Sequence, residues 1–150
     1  MGKARPSAQR VKCASNLRQL AVEAILYAED HGQLPPDLQT IFDRRVLNGY
    51  VFTCPHDHGD NLDPSVGEPL LFGVNTNYVY LGRGLTNKES AGLLLATEPI
   101  SNHSGKGANV LMNDGTVEFL ELKKLKAVLD DAVDQGRLMP ELRDILLADD

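Results

Sequence analysis

Between Pro6 and His31, apolar side chains recur every three to four residues with no helix breaker among them. At 100° per residue, Cys13, Ala14, Leu17, Leu20, Ala21, Ala24, Ile25 and Ala28 fall within an arc of about 140°, the stripe of a helix packed along one side. Lys12, Ser15, Gln19, Glu23 and Asp30 fall on the far side. Pro6 suits a first turn, and Gly32 followed by Pro35-Pro36 is a stop. Such a helix is about 38 Å long. For a chain of 150 residues that length forces the remaining elements to be laid along it. Val22 and Leu26 lie outside the main arc, which marks them as positions where a neighbour, or the chain's own sheet or tail, covers a second side.

After the stop, Asp37 is placed to cap a short helix over Leu38 to Leu47. A loop from Cys54 to Pro69, rich in Pro, Gly, Asp and His, follows. Strands are predicted over Asn77 to Leu81, over the apolar run Leu93 to Thr97, and over the hairpin Asn109 to Leu120, whose Asp114-Gly115 is a turn signal. With Asp114-Gly115 as a two-residue loop, Met112 faces Val117 and Val110 faces Phe119. Val110, Met112, Val117 and Phe119 then form one apolar face for the long helix to cover. The tail reads as a helix from Glu121 to Gln135, a break at Gly136, and a second short helix from Pro140 to Leu147. One helix, then strands, then small helices is an α+β order: a long N-terminal helix packed on a small antiparallel sheet, with C-terminal helices. A single domain over 1–150 is expected, divided into the helix (1–31), a short helix and loop (32–70), the sheet (71–120) and the helical tail (121–150).

The 21 acidic residues against 15 basic ones give a net charge of -6. That field repels a phosphate backbone and argues against nucleic acid as a partner. No apolar run reaches half the ~20 residues needed to cross a bilayer. Cys54-Pro55-His56-Asp57-His58-Gly59-Asp60 crowds one thiol, two imidazoles and two carboxylates into a short loop. His56, His58 and Asp57, with Cys54 and with His31 or His103 completing the set, are candidate ligands for Zn²⁺ or Ca²⁺. The spacing matches no closed zinc pattern, and a solvated polar loop is the plainer reading. Cys13 and Cys54 are either two reduced thiols or one disulfide, the latter a constraint of about 4 kcal/mol in the chain-entropy account. His103 and Asp114 are candidates for an acid–base or metal pair; otherwise Asp114 fixes its own turn and His103 donates a hydrogen bond to a loop carbonyl or to the Asp114 carboxylate. No nucleophile elbow, P-loop, H-E-x-x-H or dinucleotide fingerprint is present, and no enzyme is expected.

Several of these pieces together resemble the soluble part of type IV pilin-like proteins, above all the prepilin-type proteins abundant in planctomycetes and verrucomicrobia. The stretch Cys13 to Leu20, with Asn16 and Leu17, fits their C-x-x-N-L-x-Q-L segment. Tyr27, Glu29-Asp30, Gly32, Pro35-Pro36 and Cys54-Pro55 follow in the same order. The family's closing signature is a histidine, a Gly-rich step, an apolar strand and Asp-Gly. Here His103, Gly105, Gly107, Asn109-Val110-Leu111 and Asp114-Gly115 occupy those places. Ten residues lie between His103 and Asp114 where nine are usual, which places an extra residue near Lys106. Thr116 stands where a second histidine is common.

The resemblance covers about residues 3 to 120 and implies a pseudopilin-like, non-enzymatic subunit of a type II secretion or type IV pilus-like filament. Its partners would be other pilin-like subunits and the secretion or pilus machinery. In such proteins a prepilin peptidase removes a leader and the new N-terminus is methylated. An apolar helix half, expected here as ~25 further residues upstream of Lys3, anchors the subunit in the inner membrane, with the head in the periplasm or at the surface. That setting favours a Cys13–Cys54 disulfide and makes Val22 and Leu26 the expected filament contacts. The alternative is a secreted metal-binding or zinc hydrolase-like domain that uses the His-rich loop.

Overall fold

The computed structural model describes residues 6–54, 69–73, 75–86, 88–89 and 92–148. Helix α1 spans Pro6–His31, the predicted segment. Gly32, at φ +82°, donates its N–H to the Ala28 carbonyl at 2.7 Å and closes the helix. Of the expected stripe, all but the half-buried Ile25 are buried. The covered face is wider than predicted, about 180° on the wheel, because Gln9, Asn16 and Glu23 are buried as well. Glu23 therefore does not lie on the solvent side. Helix α2, Leu38–Asp43, is capped by Asp37, whose carboxylate accepts from Thr40 N–H at 2.9 Å. It stops at Asp43 rather than Leu47, and Arg45 turns to φ +58°. A 3-10 turn, Gly49–Phe52, then leads to Cys54.

Strands β1 (Val79–Tyr80), β2 (Leu94–Thr97), β3 (Gly107–Met112) and β4 (Val117–Glu121) form one antiparallel sheet in the order β1-β2-β3-β4. The β3–β4 hairpin is shifted one residue from the predicted register. Leu111 pairs with Val117, Val110 with Glu118 and Asn109 with Phe119. Asp114-Gly115 is not a two-residue loop by itself: Gly115 N–H donates to Met112 C=O and Met112 N–H to Thr116 C=O, each at 2.9 Å. The loop thus has three residues, Asn113 to Gly115, with Gly115 at φ +89°. A one-residue slip exchanges the faces of one strand against the other. Leu111 and Val117 consequently face α1, while Val110 and Met112 face away from it. The expected Val110, Met112, Val117 and Phe119 face does not exist.

What covers the other side is the tail. Helices α3 (Leu122–Asp134) and α4 (Pro140–Leu146) place Leu125, Leu129, Ala132 and Leu146 against Val79, Leu94, Ala108, Val110 and Leu120. The first cluster, on the α1 side, joins Leu17, Leu20, Ala24, Phe52, Tyr78, Leu95 and Leu111. The sheet is therefore sandwiched between α1 and α3/α4, and this explains why all four residues of β2 are buried. The fold is α+β, with a long N-terminal helix, an antiparallel sheet and C-terminal helices. Gly107 makes the close approach at the start of β3: at φ +155°, a Cβ there would lie 2.1 Å from the Leu120 carbonyl oxygen.

Candidate functional site

Beneath α1, polar side chains from separate segments converge on a disulfide. Cys13, from the buried stripe of α1, is bonded to Cys54 after the 3-10 turn, and both are buried. Asn16, one turn on from Cys13, donates from Nδ2 to the Thr53 carbonyl at 2.8 Å and to the Tyr78 hydroxyl at 3.3 Å. Asn77 grips Cys54 from the other side. Its Oδ1 accepts from Cys54 N–H at 2.7 Å and its Nδ2 donates to the Cys54 carbonyl at 3.1 Å. The sulfur bridge thus has its backbone held from α1, from the turn and from the entry to β1.

Glu98 lies at the centre. It follows β2, and none of its surface is exposed. An isolated buried carboxylate is prohibitively costly, so its charge must be met by donors. Four meet it. Oε2 accepts from Asn109 N–H at 2.9 Å, from Asn109 Nδ2 at 3.0 Å and from His103 Nε2 at 2.9 Å, and Oε1 accepts from Asn102 Nδ2 at 3.0 Å. Against a carboxylate, the imidazole nitrogen must be the donor. His103 sits in a 3-10 turn, Ile100–His103, with Nε2 3.9 Å from Cys54 Sγ and its ring edge-on to Phe119. Its Nδ1 is buried and has no hydrogen-bond partner among the described residues. Asn109 Nδ2 also reaches the Arg10 carbonyl of α1 at 3.1 Å. Burial, and after it the Glu98 charge, holds the Tyr78 phenol well above its usual range, with the Asn16 bond acting in the opposite sense.

His103 and Asp114, which the sequence offered as a pair, are not brought together. His103 is buried against Glu98, whereas Asp114 lies exposed in the hairpin loop and accepts from Thr116 N–H at 3.0 Å and Thr116 Oγ1 at 2.6 Å. Asp114 fixes its own turn, as the plainer reading had it. These two bonds from Thr116 also lower its carboxyl pKa. Gly105 closes the turn after His103 by donating to the Ile100 carbonyl at 2.9 Å, and Leu17 is fully buried in the core. His56, Asp57 and His58 lie outside the described residues. Sequence reasoning missed Glu98. Its one signal was a carboxylate closing an apolar run, five residues before a histidine.

Cys13, Cys54, Glu98 and His103 place one potential ligand atom each within 4.8 Å of one another. With the sulfurs bonded to each other they offer no thiolate, and in this state the group is a structural knot.

The outward face of α1 is different. Val11, Val22 and Leu26 are 66%, 55% and 45% exposed and line one side of the helix with Arg18. Beside them an open groove of about 280 Å³ runs between α1 and β4, lined by Arg10, Val11, Arg18, Val117, Glu118 and Phe119. Arg10 lies over the Phe119 ring, 4.6 Å from its centroid. Among the described residues no helix is long and apolar enough to cross a membrane. No family model, curated protein or solved structure matches the chain.

Proposed function

We propose that this chain is a non-enzymatic, pilin-like structural subunit of a type II secretion or type IV pilus-like filament. Its spine helix would continue upstream into a membrane anchor, with its head outside the cytoplasm. One observation carries the reading. A 26-residue helix is covered along one side by the sheet, yet it presents Val11, Val22 and Leu26 on the other. Exposed apolar side chains spaced along one side of a rigid rod are suited to repeated contact with copies of itself, arranged head to tail in an open helical array. The knot of Cys13–Cys54 with Glu98 and His103 then has a mechanical role, fixing the rod to the sheet. A disulfide also fits an oxidising compartment.

The test is made in cells on the full-length protein, with a photo-reactive residue at Val22. A ladder of multimers is expected on irradiation. The ladder should vanish when Leu26 is replaced by Asp, while the purified Leu26→Asp domain melts within about 0.5 kcal/mol of the parent. Cross-linking that yields no multimers would refute the reading.

A further inference from the structure

We infer that Cys13, Cys54, Glu98 and His103 form a redox-gated binding site for a thiophilic divalent cation, with Zn²⁺ the best match. The inference stands independently of the filament reading. It rests on the convergence of the four side chains, all buried, with their ligand atoms within 4.8 Å of one another. A tetrahedral Zn²⁺ with bonds of about 2.0–2.3 Å has ligand–ligand edges of about 3.3–3.8 Å. Each atom therefore needs only a small shift to reach a common centre once the sulfurs separate. Two sulfurs, one imidazole nitrogen and one carboxylate oxygen are a donor set that suits zinc and disfavours magnesium or calcium.

The frame that holds these donors does not depend on the sulfur bridge alone. Asn77 pins the Cys54 backbone through two hydrogen bonds, and Asn102 and Asn109 orient the Glu98 carboxylate. Such outer contacts are what fix metal ligands in place. Glu98 Oε1 accepts from Asn102 alone among the described residues, so one of its lone pairs remains for a metal.

The gate is the sulfur–sulfur bond. A dithiol or phosphine reductant supplies two electrons. The bond breaks to leave Cys13 and Cys54 as thiols, which take up two protons, while the reductant ends as its own disulfide or phosphine oxide. The proton on His103 Nε2 passes to Nδ1, which has no other partner among the described residues, and frees the Nε2 lone pair; Zn²⁺ then displaces both thiol protons to solvent and binds the two thiolates, His103 and Glu98. With a neutral imidazole, two thiolates, one carboxylate and the cation sum to one negative charge, the same as Glu98 beside the intact disulfide. Metal binding thus adds no charge to the interior.

The experiment uses the whole chain and Co²⁺ as a spectroscopic stand-in for Zn²⁺. After anaerobic reduction with a phosphine, one equivalent of Co²⁺ should give a sulfur-to-cobalt charge-transfer band and the intense visible bands of a tetrahedral ion, and Zn²⁺ should displace it. The oxidised chain should give neither. Glu98→Gln and His103→Gln should each weaken binding at least about tenfold, and Cys13→Ser should abolish the charge-transfer band. His56→Ala with His58→Ala should leave the bands intact, which separates this site from the His-rich loop. Reduced, folded chain without the bands would overturn the proposal, as would equal binding by the oxidised chain. If reduction unfolds the chain, recovery of its helical circular dichroism on adding Zn²⁺ is the expected result, and failure to recover it would also overturn the proposal.

Discussion

Both faces of the sheet are covered, but by different means. Toward α3 and α4 the contact is mainly apolar, made by Val79, Leu94, Val110, Leu120, Leu125 and Leu129, with the Arg137 guanidinium donating to the Leu81 and Leu94 carbonyls. Toward α1, leucines and alanines are interleaved with Glu98, His103, Asn102, Asn109, Asn16 and a disulfide. An apolar interface tolerates sliding, because dispersion and hydrophobic burial are weakly directional. A hydrogen-bonded one does not, since each donor left without its acceptor incurs the full desolvation penalty. The molecule thus fixes its long helix through a hydrogen-bonded network and attaches its tail mainly by packing, with Arg137 as a polar tie.

The largest effect should come from removing the centre of the polar face. Glu98→Ala leaves Asn109 N–H, the Asn102 amide and His103 without their acceptor, leaves Asn109 Nδ2 with the Arg10 carbonyl alone, and should cost about 3–5 kcal/mol in a denaturant titration. A loss under 1 kcal/mol, to order of magnitude, would mean that the network contributes little.

Next comes the apolar face. Leu129→Ala should cost about 3 kcal/mol through the cavity it opens, whereas Leu129→Met should cost less than about 1.5 kcal/mol. The contrast sharpens if Glu98→Gln, also a near-isosteric change, costs about 2 kcal/mol because an amide hydrogen replaces a carboxylate acceptor. Equal tolerance of the two conservative changes would erase the distinction between the faces.

Gly115→Ala, at the hairpin tip, should cost about 1 kcal/mol by thermal melting, since alanine dislikes φ +89° although the added Cβ would meet Ile25 Cδ1 of α1 only at an ordinary 3.7 Å. The smallest effect belongs to Asp114. Its folded-state pKa is lowered by Thr116, so its contribution is present above the unfolded carboxylate value of about 3.9 and is lost as pH falls through the folded value. The melting temperatures of the parent and Asp114→Asn should differ slightly near neutral pH and converge in acid; a gap that widens in acid would reverse the sign. Neither change removes a contact between the sheet and its two covers, so each provides a baseline for the effects above.

Much of the architecture was legible because it depends on local periodicity. The bounds of α1, its Cys13, Leu17 and Leu20 stripe, the Asp37 cap and the break at Gly136 all follow from neighbours within a turn or two. The hairpin was legible as a hairpin but not in register. Asp-Gly serves both two- and three-residue loops, and only the Met112–Thr116 bond distinguishes them. That one-residue difference decided which face Val110 presents. The heptad-like spacing of Leu125 and Leu129 announced an amphipathic helix without saying what it would cover. Glu98 and Asn102 carried almost no local signal, since a buried carboxylate is recognised by donors that arrive from elsewhere in the chain.

What the amino-acid order determined by itself is the set of rods and ribbons and the apolar stripe of the long helix, because side-chain direction repeats every 3.6 or 2 residues whatever lies beyond. Tertiary structure decided the rest: that both faces of the sheet are covered, that Cys13 meets Cys54, and that His103 pairs with Glu98 and not with Asp114. Those contacts join residues far apart in the chain, or residues whose local turn alone leaves several partners open. They form only when packing excludes water and each buried polar atom takes the nearest donor or acceptor that remains.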